Sequence, residues 1–441
     1  MTETLEPKES PRLSPSSRQS TPPPSGRGPG ILGLNGRPLA AVLIGWFFVV
    51  FDGYDLIVYG TVQGTLMNHW NLTSGNAGTV GSMAFVGMAV GAVLIGRVSD
   101  RVGRKAAVIG SVLTLSVFTL LCTLAPNVWV FAAMRFLAGL GLGGLVPSVN
   151  ALVADLVPAR YRAAWSTVMM SGVPIGGSAA AIIAQFIVPV HPEYGWRYMF
   201  LIAVIPLVVG LPVAMKVIPG GNRNTDSSGS ADRQHTPGFS ALLRGELLAR
   251  SILFAVVTFF TLLAWYGLGT WLPKLMQQAG YDFGAALNLT LALNLGAVAG
   301  SVITAWAGDR FGAVRAGVVA ALIAGVALLL LVSGPPVGWV YVIMVLAGVG
   351  THGTQILIIA AISGYYPASL RGTALGWALG VGRLGAVAAP QVAGWLLDWG
   401  WGVNSNYALF GGAAIISCVL LAVIERAVRL GQAGRQAGKV S

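Results

Sequence analysis

Stretches of about 20 apolar residues, the length an α-helix needs to cross roughly 30 Å of hydrocarbon, recur between short polar loops along the whole chain. Twelve can be drawn, at 38–62, 75–96, 106–125, 128–153, 164–190, 199–218, 251–277, 284–307, 314–333, 338–363, 372–397 and 405–428. A mean hydropathy of +0.73, with 55% hydrophobic and 10% charged residues over 441 positions, excludes a soluble globular domain. The expected class is an all-α integral membrane protein with 12 transmembrane helices.

A net charge of +12 would suit a nucleic-acid binder if it were gathered on one surface, but here it is distributed by loop. Arg97, Arg101, Arg104 and Lys105 lie between segments two and three, and Arg160 and Arg162 between four and five. Lys216, Arg223, Arg233, Arg244 and Arg250 lie between six and seven, Arg310 and Arg315 between eight and nine, and Arg371 between ten and eleven. The alternate loops carry only Arg197 and Lys274. By the positive-inside rule both termini are cytoplasmic, and the excess charge reports topology, not nucleic acid. Residues 1–37, rich in Ser, Pro and Arg, lack the apolar run of a signal peptide and read as a disordered tail. Cys122 and Cys418 fall inside segments three and twelve, as small hydrophobes, with no disulfide or metal framework and no cofactor implied. No nucleophile, base and orienting group stand together as an enzyme would need.

The two halves repeat at an offset of 209 residues. Gly87 and Gly91 match Gly296 and Gly300; Asp100, Arg101 and Gly103 match Asp309, Arg310 and Gly312. Gly139, Gly141 and Gly144 match Gly348, Gly350 and Gly353, Pro158 and Arg162 match Pro367 and Arg371, and Gly176 matches Gly385. One register held across four helices implies a duplicated bundle: six helices over 38–218, a cytoplasmic linker over 219–250, six helices over 251–428 and a short tail over 429–441. Most of these glycines read as small-residue faces that let helices approach closely.

Few ionisable residues lie at membrane depth: Asp52 and Asp55 in segment one, Arg135 in segment four, Arg383 in segment eleven, and His352 in segment ten. Buried charges are expensive and usually face a polar cavity or each other, and two acids against two arginines can be neutral overall. Asp52 and Asp55, spaced i, i+3, share one helix face on this reading. Burial favours a neutral aspartate and a neighbouring arginine favours a charged one, so the balance can shift as a cavity opens and closes; this makes both proton-coupling candidates. The repeat places Pro174 opposite Arg383 and Met344 opposite Arg135, so neither arginine belongs to the shared scaffold. Both are candidate ligands for an anion, Arg135 also a candidate partner for an aspartate. Tyr54, Tyr59, Trp265, Tyr266, His352, Gln355 and Trp377 complete a candidate cavity lining suited to a flat ring.

Two like bundles related about the membrane normal are the architecture of the major facilitator superfamily, with its site between the halves. The string GRVSDRVGRK, Gly96 to Lys105, resembles that superfamily's loop signature, with a weaker copy in GDRFG. The resemblance implies a cytoplasmic latch formed by Gly96, Asp100, Gly103, Lys105, Arg101 or Arg104 with Asp155, and by Asp309 and Arg310 in the copy. DGYD at Asp52–Asp55, Arg135, and GRLGA at Gly382–Ala386 together resemble the aromatic acid:proton symporters of the superfamily, importers of benzoate and hydroxybenzoates. The chain departs from that family at Ile358 and Ile359 and at Ala389-Pro390.

The resemblance implies a monomeric, multi-pass protein of a bacterial inner membrane that imports a small aromatic carboxylate with protons by alternating access. Another organic anion, proton-driven efflux by the same fold, and a membrane sensor of the acid are the alternative readings.

Overall fold

In hydrocarbon the backbone has no water to bond, so a chain crossing it must satisfy its own N–H and C=O groups, which a helix does within one segment. The computed structural model describes residues 31–220, 242 and 245–437. Most of the N-terminal tail, most of the central linker and the last four residues lie outside the described residues, as does the side chain of Asp100. The helices are α1 Gly36–Trp70, α2 Ser74–Val102, α3 Arg104–Cys122, α4 Val128–Leu156, α5 Arg162–Val190 and α6 Gly195–Val217, then α7 Glu246–Gln278, α8 Phe283–Phe311, α9 Ala313–Leu330, α10 Val337–Tyr365, α11 Ala368–Asp398 and α12 Gly402–Ala437.

The sequence-drawn segments are recovered as helices, several of them longer than drawn. α1 runs eight residues past its apolar segment, because a helix continues through Gln63, Asn68 and His69 once the backbone is wound. α6 contains a π-turn at Pro206–Gly210, where prolines 206 and 212 lack the N–H that a regular ladder requires. α12 continues as helix to Ala437 and α7 begins at Glu246, beyond the sequence-drawn ends of those two segments. Among the described residues, eleven helices are apolar enough to cross a membrane on length and composition. The exception is α11, whose glycines and Arg383 lower its hydropathy while its neighbours α2 and α7 cover it.

Within the first half α1 packs on α5, α2 on α4 and α3 on α4; within the second, α7 packs on α11, α8 on α10 and α9 on α10. These are the same pairs at the repeat offset, and they coincide at the level of single contacts. A Cβ on Gly176 would overlap the carbonyl of Val50, and one on Gly385 that of Phe259, which is the equivalent residue. Gly103 (φ +102) and Gly312 (φ +93) make equivalent turns in a backbone region closed to other residues.

The halves meet through α2 on α11, α5 on α8 and α1 on α7. At the charge-poor end these meetings are tight: Gly60 lies against the backbone of Gly269 and Thr270, Ser82 Oγ donates to the Val387 carbonyl at 2.7 Å, and Gln185 Nε2 donates to Asn288 Oδ1 at 3.0 Å. Toward the basic-loop end the halves diverge. Gly96 on α2 and Gly372, Gly376 and Gly380 on α11 have no atom within 4 Å of the place a Cβ would occupy. The cleft between the halves is therefore closed at the end bearing the α1–α2 turn and open at the other.

With α7 and α11 in backbone contact here, Gly385→Val must push α11 off Phe259. We expect a cost of about 1–3 kcal/mol, read as a lower midpoint of thermal unfolding in detergent, with Gly412→Val, where a Cβ meets nothing within 4 Å, as the unaffected control.

Candidate functional site

The two aspartates of α1 serve different neighbours. At about 100° per residue an i, i+3 pair is separated by about 60° around the helix, enough on a helix wedged between two bundles to send one acid each way. This corrects the reading of a single shared face.

Asp55 turns into the first half. Arg135 Nη1 donates to its Oδ2 at 2.6 Å, Thr119 Oγ1 donates to its Oδ1 at 2.6 Å, and Arg135 Nη2 donates to the Asp55 backbone carbonyl at 3.1 Å. The Arg135 guanidinium also lies 5.7 Å from the Phe200 ring centroid. Both charged side chains are buried, at 2% and 3% exposure. The pair is thus compensated within one bundle, and Arg135 does not face the cleft as an anion ligand.

Asp52 turns toward the second half. Its Oδ1 is buried without a hydrogen-bond partner, and it lies within electrostatic reach of Arg383 and of Tyr266 without forming a direct ion pair. Arg383 extends from α11 across the cleft, where its Nη1 and Nη2 donate to the carbonyls of Met88 on α2 and Gly143 on α4 at 3.3 and 3.4 Å. Those are long bonds from a charged donor to neutral acceptors. A carboxylate offering two oxygens in the guanidinium plane is a stronger partner for the same fork. Tyr266 packs against Phe85 of α2 with ring centroids 4.8 Å apart and planes tilted by 54°, so an aromatic pair crosses the halves beside the charged groups.

On α10, His352 packs its ring 5.0 Å from Trp265, while its Nε2 has no partner. One turn further, neither amide atom of Gln355 has a partner, although the residue is buried. Buried polar atoms are rarely left unpaired. Here several gather on the walls between the halves, as they would around a polar ligand.

Four other candidates are occupied elsewhere, contrary to the expectation that they line the cleft. Tyr54 OH donates to the Met199 carbonyl at 2.8 Å and Tyr59 OH to the Ala77 carbonyl at 2.6 Å, both buried within the first half. Trp377 Nε1 donates to the Ser251 carbonyl at 3.0 Å and fastens α11 to α7. The fourth is Arg135. A free hydroxyl on a buried tyrosine must find an acceptor, and the nearest carbonyl of a packed neighbour supplied it.

In the signature loop Arg104, not Arg101, forms the ion pair with Asp155. Arg101 is exposed, and Lys105 Nζ donates to the Met215 carbonyl at 2.6 Å. The Arg104–Asp155 pair joins α3 to α4 inside one half and has no copy in the other, where Ala313 and Gly364 stand at the repeat positions. Asp309 and Arg310 are exposed, and a different cluster, Arg315 and Arg429 on Glu425 at 2.5 and 2.9 Å, ties α9 to α12. Phe85 and Thr119 escaped the sequence reading, since an aromatic or a threonine in an apolar segment carries no signal of its own. Among the described residues no group of His, Cys, Asp or Glu is placed to hold a metal ion.

The chain matches the family model described as Major Facilitator Superfamily over residues 45–303 and 288–441. It is 68% identical over 397 residues to a gentisate transporter of Corynebacterium glutamicum, covering 90% of this chain and 89% of that protein. It is 31% identical over 417 residues to a benzoate transport protein of Acinetobacter baylyi, covering 87% and 89%. In fold it is similar to a D-xylose-proton symporter known from its crystal structure, with a TM-score of 0.75 at 18% identity over 88% of this chain and 97% of that one.

Breaking one side of a buried pair strands a charge, at about 3–5 kcal/mol. Arg135→Met should lower the unfolding midpoint far more than the double variant Asp55→Asn with Arg135→Met, in which the Thr119 hydroxyl keeps an acceptor. A double variant less stable than either single one would contradict a compensated pair.

Proposed function

The chain belongs to the Major Facilitator Superfamily, and on that premise we propose that it is a proton-coupled importer of gentisate or a closely related hydroxybenzoate in a bacterial inner membrane. The observation that carries the reading is the cross-half set of Asp52, Arg383 and Tyr266, in which one carboxylate with an unpaired oxygen faces one guanidinium held only by carbonyls. The substrate class rests on the gentisate transporter at 68% identity and the benzoate transport protein at 31%.

Gentisate is a dihydroxybenzoate: one carboxylate, a flat ring and two hydroxyls. Its carboxylate takes the Arg383 fork in place of the Met88 and Gly143 carbonyls. Its ring lies by the Phe85–Tyr266 pair, and its hydroxyls meet polar groups such as Gln355 and His352. Two anions side by side in a buried site repel, so the substrate's carboxylate and a proton on Asp52 favour each other's binding. Loaded with both, the site carries only the compensated Arg383–carboxylate pair, and the halves can rock. Loaded with one, it exposes an uncompensated charge to the closing, low-dielectric interface, which slows the switch.

In this cycle the structure's state is the one facing the basic loops, which the charge distribution puts at the cytoplasm. Asp55 and Arg135 stay paired throughout, on this account, and hold α1 to α3 and α4 while α1 slides against α7.

Reconstituted in proteoliposomes, the protein should accumulate labelled gentisate when an inward proton gradient is imposed. Asp52→Asn, which mimics a permanently protonated acid, should lose gradient-driven accumulation yet keep gentisate exchange between two loaded faces. Arg383→Lys keeps a charge without the fork and should raise KM about tenfold or more. Accumulation by Asp52→Asn that still follows the gradient would remove the proton role from that residue.

A further inference from the structure

A helix leaves its first N–H groups without partners inside the helix, and each must be met from elsewhere. At the start of α2 that demand is met in an unusual way. The Asn76 N–H is taken by Thr73 Oγ1 at 3.2 Å, the ordinary local cap, and from Ala77, bonded to the Thr73 carbonyl, the regular ladder begins. The remaining two are taken from the other half of the molecule. Ser74 N–H donates to Asp398 Oδ1 at 2.9 Å and Gly75 N–H to Asp398 Oδ2 at 2.8 Å.

Asp398 is the last residue of α11, so its carboxylate caps α2 with both oxygens across the gap between the halves. Around it α11 and α2 are stitched further: Gln391 Nε2 donates to the Gly75 carbonyl at 3.2 Å, and Thr79 Oγ1 donates to Gln391 Oε1 at 2.7 Å. A Cβ on Gly394 would strike the Ser74 carbonyl, so the two backbones touch there. The corresponding meeting of α5 and α8 is not built this way. Val190 ends α5, and α8 is capped by its own Asp282, whose Oδ1 accepts from Ala285 N–H at 2.9 Å.

We propose that Asp398 is the gate-positioning residue of the charge-poor end, an acid that holds the cleft shut there by capping α2 and that must let go for this end to open. The proposal uses the rocking of the halves but is independent of which solute is carried and of how protons couple. The contact has the properties a gate needs. It is strong when made, because a full negative charge meets two aligned N–H groups at the positive end of a helix. It is also exposed at the surface, so on release both sides are taken over by water. The opposite ends of the same two helices are already apart in this structure, at Gly96 and Gly376. α2 and α11 thus close at one end while separated at the other.

The test reads access to the cleft, not transport. Ser82, whose hydroxyl bonds Val387 behind the gate, is changed to Cys in a background with Cys122 and Cys418 replaced, and right-side-out vesicles are treated with a membrane-impermeant maleimide. Asp398→Asn should speed labelling about fivefold or more, and Asp398→Glu should restore the parent's slow rate in part. Ser74→Pro gives a second route to the same contact: proline is tolerated at the first helical position, Thr73 already has the extended backbone that precedes proline, and only the N–H to Asp398 is lost. It should speed labelling too, and combined with Asp398→Asn it should add little. Parental labelling rates in Asp398→Asn and Ser74→Pro would overturn the proposal, and so would full additivity of the two. Failure of gentisate uptake alone, with labelling as expected, would fault the functional reading and leave the gate standing.

Discussion

Charge compensation at membrane depth is the constraint on which the rest of this structure hangs. Among the described residues, four charged side chains lie in the middle of the bundles, and they are handled in two ways. Asp55 and Arg135 neutralise each other within one half, with Thr119 on the other carboxylate oxygen and the Asp55 backbone carbonyl on Arg135 Nη2. Asp52 and Arg383 stand on opposite halves, near enough to feel each other but not joined. In the proposed cycle the first arrangement serves as an anchor and the second as the site. Only a pair whose members belong to separately moving bodies can be completed or broken by what binds between them.

Duplication built the scaffold, and departures from it built the chemistry. Where the halves agree, the agreement extends to which carbonyl a glycine faces, as with Gly176 on Val50 and Gly385 on Phe259. Where they disagree, the polar groups of the cleft appear. Asp52 stands opposite Thr261, Arg383 opposite Pro174 and Gln355 opposite Val146. His352 occupies the place of Gly143, whose carbonyl receives Arg383. A symmetric pair of bundles would present the same wall twice. The asymmetry sets acid and guanidinium against each other and gives one wall its free imidazole and amide.

The fold was legible because its cause is one-dimensional. Apolar length gives each crossing, loop charge gives the pattern of sides, and the register of glycines gives the duplication. The charged residues of the cleft were legible for a related reason, since any ionisable residue in such a segment needs an explanation. Orientation around each helix was not legible. Nothing in DGYD says that Asp55 turns to α4 while Asp52 turns to α11, and nothing marks Tyr54 and Tyr59 as bonded to carbonyls inside one half. Contacts between halves were least legible. Asp398 reads as an ordinary acid at the end of a segment until the fold sets it on Ser74 and Gly75.

The central claim is that an aromatic carboxylate at Arg383 and a proton at Asp52 occupy one electrostatic site. Calorimetric titration of gentisate into the detergent-solubilised protein, in buffers of different ionisation enthalpy at one pH, counts the protons taken up with each substrate bound. The account predicts net proton uptake that disappears in Asp52→Asn while gentisate binding persists. A binding enthalpy that is the same in every buffer across the pH range of transport would contradict it.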